Sequence, residues 1–154
     1  MEKFKTAEKK DISSIVSLMK ELYQCHNLDL NTSQARQALD LLIENSNYGR
    51  IWLILQNEKV IGYMVLTFGF SLEYFGKDAF LDEIFIREDY RSLDIGQKAY
   101  QYLEKTAKKM GIKAIHLEVK DKNTFTSSRY RKWGFKEHKS HLLTKWIDKK
   151  LDSK

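Results

Sequence analysis

Apolar and polar positions along the chain change period several times, and each change marks an element. Ile12, Ile15, Val16, Met19, Leu22 and Tyr23 recur at the spacing of one helical face, behind Asp11 as a candidate N-cap. A second helix is predicted to open near Thr32 or Ser33 and to turn Ala35, Ala38, Leu39, Leu42 and Ile43 inward. From Gly49 the texture becomes that of strands. IWLIL, a polar turn at Asn57 and Glu58, and VIGYMVLTF together read as a β-hairpin. The second of these strands is apolar on both faces, which suits the middle of a covered sheet. AFLDEIFI, residues 79–86, is a third strand. A helix follows with Ile95, Ala99, Tyr102, Leu103, Thr106, Ala107 and Met110 on one stripe, and Gly111 stands where it stops such a helix at C′. IKAIHLEV reads as a further strand, with Ile115, Leu117 and Val119 on one face and His116 and Glu118 on the other. A short helix is expected from Asn123 to Trp133, broken by Gly134, and HKSHLLTKWI then reads as a closing hairpin or strand pair. With a short strand at residues 3–6 the order is β-α-α-β-β-β-α-β-α-β, an α/β (α+β) pattern with a mixed sheet and helices on both faces.

Length changes this picture little: 154 residues suit a single domain, 1–154, able to bury roughly two-thirds of its unfolded surface. Hydrophobic residues at 42% and charged residues at 31% are the balance of a soluble globular chain. No apolar run approaches the ~20 residues of a membrane span, so no membrane partner is expected. The start, MEKFKTAEKK, lacks an apolar h-region, and Cys25 is the lone cysteine; both point to a reducing cytoplasm. The net charge of +6 favours anionic partners. Part of it is a lysine tail (Lys145, Lys149, Lys150, Lys154), and the other basic residues are interspersed with acidic ones. A phosphorylated cofactor serves this charge as well as nucleic acid does, and Trp52, Trp133 and Trp146 follow core spacing rather than a base-stacking pattern, so no nucleic-acid partner is expected.

Several chemistries are excluded by spacing. His26, His116, His138 and His141 form no zinc pattern with Cys25, and adjacency of Cys25 and His26 does not give a nucleophile–base pair. No G-x-S-x-G, P-loop or dinucleotide glycine fingerprint occurs. The informative unit is strand, loop and helix: LDEIFI, then REDYRSLDIG, then the helix. A loop that delivers backbone N–H groups at a helix N-terminus is an anion site, because those donors lack intrahelical partners. Arg91 adds a fixed positive charge, and Gly96 lets a bulky phosphate approach the first turn.

FLDEIFIREDYRSLDIG, a following helix, LEV, an asparagine and RYRKWGF together resemble the GCN5-related N-acetyltransferases (GNAT), over about residues 50–147. The resemblance implies a mostly antiparallel central sheet of about six to seven strands. It implies acetyl-CoA as acyl donor, with the pyrophosphate held by the main chain of Arg91, Ser92, Leu93, Asp94, Ile95, Gly96 and Gln97. The backbone of Ile84, Phe85 and Ile86 would pair with the pantetheine arm like an extra strand, and Asn123 would sit beside that arm. Tyr130 would protonate the departing thiolate, and Asp82 stands where related diamine acetyltransferases have a glutamate, as the base. The implied reaction is direct acetyl transfer to a primary amine of a small molecule or a protein, and a homodimer is consistent with the apolar LLTKWI.

Two positions depart from the family loop: Ser92, mildly, in place of a glycine, and Asp94, which also stands where a glycine is usual. Its carboxylate repels a pyrophosphate, and Asp94 with Gln97 forms an Asp-x-x-Gln capping box that would occupy the donors the phosphate needs. That departure raises an alternative from another class, a catalytically silent acyl-CoA-binding or partner-binding module on the same fold. Glu83 is expected on the face opposite Asp82 unless a bulge intervenes, and Glu118 and His116 are further candidates for the base. Acceptor selection is expected from residues 20–34 and from the loop GFSLEYFGKDA, where Glu73 and Tyr74 could meet a cationic amine.

Overall fold

The apolar runs IWLIL and VIGYMVLTF, buried on both faces, build the centre of the observed sheet. In the computed structural model the described residues are 1–119 and 124–151, with the side chains of 93 and 124–127 outside the description. They fall into two compact units, Met1–Leu117 and Glu118–Lys154. The first unit contains β1 (Glu2–Thr6), α1 (Ile12–Cys25), α2 (Thr32–Glu44), β2 (Gly49–Gln56), β3 (Lys59–Ser71), β4 (Gly76–Ile86), α3 (Leu93–Lys109) and β5 (Ala114–His116). The strand order is β1-β2-β3-β4-β5. The first four strands are antiparallel to their neighbours, and β5 runs parallel to β4. Asn57 (φ 49°) and Glu58 (φ 64°) both adopt left-handed backbone between β2 and β3. Two such residues make the primed turn whose twist matches that of the flanking strands.

Helices cover both faces. Ile51, Leu53, Tyr63, Val65 and Phe85 pack with Ile15, Val16, Leu18 and Met19 of α1 and with Ala35 and Leu39 of α2. On the other face Trp52, Ile54, Met64 and Leu66 are buried. There Tyr102 of α3 stacks on Phe4 at 4.8 Å and meets Trp52 edge-on at 6.2 Å. Ile95, Ala99, Leu103 and Ala107 form the buried stripe of α3. Met110 closes this helix and Gly111, at φ 74°, follows it. Among the described residues no helix is long and apolar enough to cross a membrane.

The structure corrects several expectations. Asp11 is the N-cap position of α1 as expected, but its carboxylate accepts from the Glu8 N–H at 2.9 Å and from Lys5, so it closes the preceding 3-10 turn and makes no side-chain cap bond to α1. α2 opens at Thr32 as expected, capped by Asn31, which accepts from the Gln34 N–H at 3.1 Å, but Ala38, expected inward, is exposed. The segment GFSLEYFGKDA is mostly strand: β3 and β4 run on to a turn at residues 72–75. β5 is three residues long, and among the described residues the sheet has five strands rather than six or seven.

The second unit contains α4 (Thr124–Lys132), after which Gly134 turns the chain at φ 91°. Tyr130 packs edge-on against Trp133 at 5.5 Å and Phe135 at 5.9 Å. Residues 138–147 form no hairpin or strand pair, which corrects the expected ending. The adjacent Leu142 and Leu143 break the period-2 pattern, and both are exposed, as is Ile147.

Candidate active site

A single extra residue organises the site. Val65 pairs with Glu83, but Leu66 pairs with Leu81, so Asp82 is a β-bulge in β4. The bulge resets the alternation: Asp78 and Phe80, opposite Gly69 and Thr67, share the α1 face with Glu83 and Phe85, opposite Val65 and Tyr63. Strict alternation had placed Glu83 on the face away from Asp82; the bulge brings the two carboxylates together.

Glu83 is fixed from two elements. Tyr63 of β3 donates its hydroxyl to Oε2 at 2.5 Å, and Tyr23 of α1 donates to Oε1 at 3.2 Å. Burial pushes the Glu83 carboxyl above the usual carboxylate range, Asp82 adds to this, and the two hydroxyl donors oppose it. Burial and the Glu83 charge push the Tyr23 phenol up to about 12 and raise Tyr63 further. Asp82 is the more exposed of the pair, and partial desolvation raises its carboxyl too. These tyrosines escaped the sequence reading because each sits on an apolar face and reads as core. A tyrosine inside VIGYMVL was the available signal, since a buried hydroxyl needs a partner.

β4 and β5 separate soon after they meet. Their pairing covers only residues 78–80 against 114–116, and beyond it no described strand pairs with the outer edge of β4. The Arg87 N–H donates to the Ile61 carbonyl at 2.9 Å, toward β3. By alternation the Phe85 groups also face β3, whereas the N–H and C=O of Ile84 and Ile86 face the open edge. Arg91 caps that edge: its Nε donates to the Ile86 carbonyl at 2.8 Å and its guanidinium lies 5.5 Å over the Phe85 ring.

The loop ends in a helix start that differs from expectation. Ser92 is the N-cap, accepting from the Ile95 N–H through a long 3.4 Å contact. The helix therefore begins at Leu93, before Asp94 rather than after it, and the Asp94–Gln97 capping box does not form. Asp94 and Gln97 are exposed on the first turns, Ile95 and Gly96 are buried, and the N–H groups of the first turn still lack intrahelical partners. Below this end lies an open cleft of about 360 Å³ lined by Glu21, Gln24, Cys25, Phe85, Glu88 and Arg91. Glu21 and Arg87 form an ion pair at 2.9 Å beside it. The edge of β4 that no described strand pairs with, the N–H groups that Ser92 leaves over at the start of α3, and Arg91 fit an extended acyl carrier bearing phosphates.

Further along the same sheet face, His116 Nε2 lies 2.9 Å from Asp78 Oδ2, with the Tyr74 ring 4.8 Å away. Glu73 and Glu118 are exposed. Tyr130 belongs to the second unit, where burial raises its phenol and the Arg129 charge partly offsets that. Asn123 lies outside the described residues.

Known proteins share this fold. The model of the acetyltransferase (GNAT) family matches residues 15–135. An integron cassette protein from the mobile metagenome of Cole Harbour Salt Marsh is 33% identical, with TM-score 0.83, over 94% of this chain and 90% of that one. A predicted acetyltransferase from Clostridium acetobutylicum, solved with acetyl-CoA, is 21% identical with TM-score 0.78, over 94% and 96%. An aminoglycoside N-acetyltransferase solved with CoA shares the fold at 12% identity and TM-score 0.79, over 96% and 95%. No curated protein matches the sequence. With the family model spanning most of the chain and the site built around an open strand edge, the protein belongs to the GNAT family of acetyl-CoA-dependent acetyltransferases.

Proposed function

We propose that the protein moves an acetyl group from acetyl-CoA directly to a primary amine, most simply that of a small molecule. The observation that carries this reading is the open edge of β4 at Ile84 and Ile86, leading toward the N-terminus of α3 and Arg91. When bound, acetyl-CoA supplies an activated thioester. The N–H groups left over at the start of α3 (residues 92–94) and the Arg91 charge serve its pyrophosphate, with Ile95, Gly96 and Gln97 continuing that first stretch of helix, and the Ile84 and Ile86 backbone serves the pantetheine amides, with Phe85 holding the strand to β3. In this reading Asn123 also faces the arm and Tyr130 gives a proton to the leaving sulfur.

An amine arrives as an ammonium and must lose a proton before it can attack a carbonyl. Asp82 is the proposed base: it is exposed enough to exchange protons with solvent, and its raised carboxyl suits proton uptake. Glu83, fixed by two hydroxyls, adds negative charge for a cationic acceptor. Acceptor choice is assigned to the end of α1, the segment leading to α2, and the turn bearing Glu73 and Tyr74. Both compact units belong to one acetyltransferase domain in this reading, because the family match runs across their boundary. The lone, exposed Cys25 suits a reducing cytoplasm, and the exposed Leu142, Leu143 and Ile147 suit a homodimer, testable by sedimentation.

Release of CoA thiol in the presence of polyamines, amino acids, aminoglycosides and peptides tests the reading. Turnover with at least one class is expected. CoA binding without turnover across the panel would instead favour a silent acyl-CoA-binding module, the reading that the acidic Asp94 in the first turn of α3 supports.

A further inference from the structure

The face of the sheet that carries Asp82 and Glu83 holds a second set of proton-handling groups at the point where β4 and β5 part. His116 pairs with Phe80 as the last matched position of the two strands. Its Nε2 meets Asp78 Oδ2 at 2.9 Å, and the two side chains are 22% and 17% exposed, shielded yet reachable. Tyr74 packs edge-on against the imidazole at 4.8 Å and Phe80 lies at 5.8 Å. Room for the carboxylate comes from Gly69 across the hairpin, where a Cβ would stand 2.7 Å from Asp78 Oδ1. An Asp–His pair of this kind fixes the tautomer: with Nε2–H donated to the carboxylate, Nδ1 keeps a lone pair. That nitrogen has no hydrogen-bond partner among the described residues.

We propose that His116, oriented by Asp78, is a second proton acceptor in amine acetylation, and that Tyr74 and Phe80 form the wall against which the acceptor lies. This rests on the transfer reading above. An ammonium acceptor loses two protons on the way to an amide. Asp82, exposed, takes the first and passes it to water. His116 Nδ1 takes the second as the amine nitrogen bonds to the acyl carbon and the carbon–sulfur bond breaks. The sulfur leaves with the bonding pair and receives the Tyr130 hydroxyl proton, which solvent restores. The His116 proton returns to solvent, so one proton is released per acetyl group transferred. Asp78 from β4 and Tyr74 from the β3–β4 turn are the titratable groups that face the imidazole.

The test combines kinetics with nitrogen NMR of the imidazole. With the amine of highest turnover, His116→Asn is expected to lower kcat about 100-fold or more, the usual scale for loss of a general base. Its CoA affinity and melting temperature should stay unchanged, its pH–rate profile should lose one limb, and added imidazole should restore part of the rate. Gly69→Ala, which leaves both members in place but displaces the carboxylate, should lower kcat without changing the KM for acetyl-CoA. Wild-type NMR should show the proton on Nε2. Full activity of His116→Asn, an unchanged pH profile, or a proton on Nδ1 would each overturn the proposal. If the wild type acetylates no amine, the transfer reading fails, and the tautomer still decides whether the pair presents a base.

Discussion

Tyr63 donates its hydroxyl to Glu83 at 2.5 Å, joining the centre of the sheet to the bulge that carries the acidic side chains of the site. Tyr63 is fully buried, so its hydroxyl depends on this carboxylate, and the carboxylate depends on it for part of its solvation. Tyr63→Phe leaves Glu83 with only the longer contact from Tyr23. The expected cost is about 1–3 kcal/mol of stability, the usual penalty for an abandoned buried partner. Urea denaturation measures it, and a cost near zero would show that water replaces the hydroxyl.

The same relationship sets a pH dependence. The Glu83 carboxyl is raised in the fold, chiefly by burial, so its ionisation opposes folding. Stability from such a group is fully present below its unfolded value and is lost as pH rises through the folded value. Glu83→Gln, which keeps the size and a hydrogen-bonding oxygen, should therefore gain in melting temperature relative to wild type as pH rises from 4 to 8. A gap that narrows over that range would contradict the sign.

Asp94 sits in the first turn of α3, near the proposed phosphate position, without acting as the cap. Asp94→Gly should bind CoA more tightly, by about fivefold if one screened repulsion of about 1 kcal/mol is removed. The free protein should lose a similar amount of stability, because a helix favours an acid in its first turn and disfavours glycine. Titration calorimetry and melting curves read the two effects separately. Unchanged affinity would mean the carboxylate turns to solvent.

Arg91 combines a charge with a donor to the Ile86 carbonyl on the open edge. Arg91→Ala is expected to raise the KM for acetyl-CoA about tenfold, one charge-assisted contact, with kcat within about threefold. The variant's KM should also depend less on salt than the wild type's. A fall in kcat alone would assign Arg91 to the chemistry rather than to binding.

Gly62 lies where β3 meets the functional end of β4. A Cβ at this position would stand 2.3 Å from the Phe85 carbonyl oxygen, a backbone atom that cannot step aside alone. Gly62→Ala should push β4 outward, lowering stability by about 1–3 kcal/mol and weakening CoA binding together. Circular-dichroism melts and CoA titration check both; loss of stability with intact CoA affinity would show that the open edge tolerates the shift.

The local elements were legible because their signals are local. The stripe from Ile12 to Tyr23 and that from Ile95 to Ala107 encode helices within a few turns, and Asn57-Glu58 encodes its own tight turn. The strand–loop–helix at residues 81–96 and its resemblance to acetyltransferases were also readable, since backbone anion sites depend on a short stretch of chain. Asp94 misled for the same reason: Asp-x-x-Gln fits a capping box, but the helix began earlier, at Leu93, with Ser92 before it.

What the sequence by itself determined was the helices, the central hairpin and the family of the chain. Only the tertiary structure decided that Asp82 is a bulge, that Glu83 shares its face, and that β5 stops after three residues. Those features depend on which backbone groups a neighbouring strand satisfies, and the neighbours lie far apart in the chain. Tyr23 and Tyr63 meet at Glu83 across 60 and 20 residues of sequence, and Asp78 meets His116 across 38. Periodicity reports the face a residue occupies within an intact strand; one inserted residue changes that face, and only the partner strand reveals the insertion.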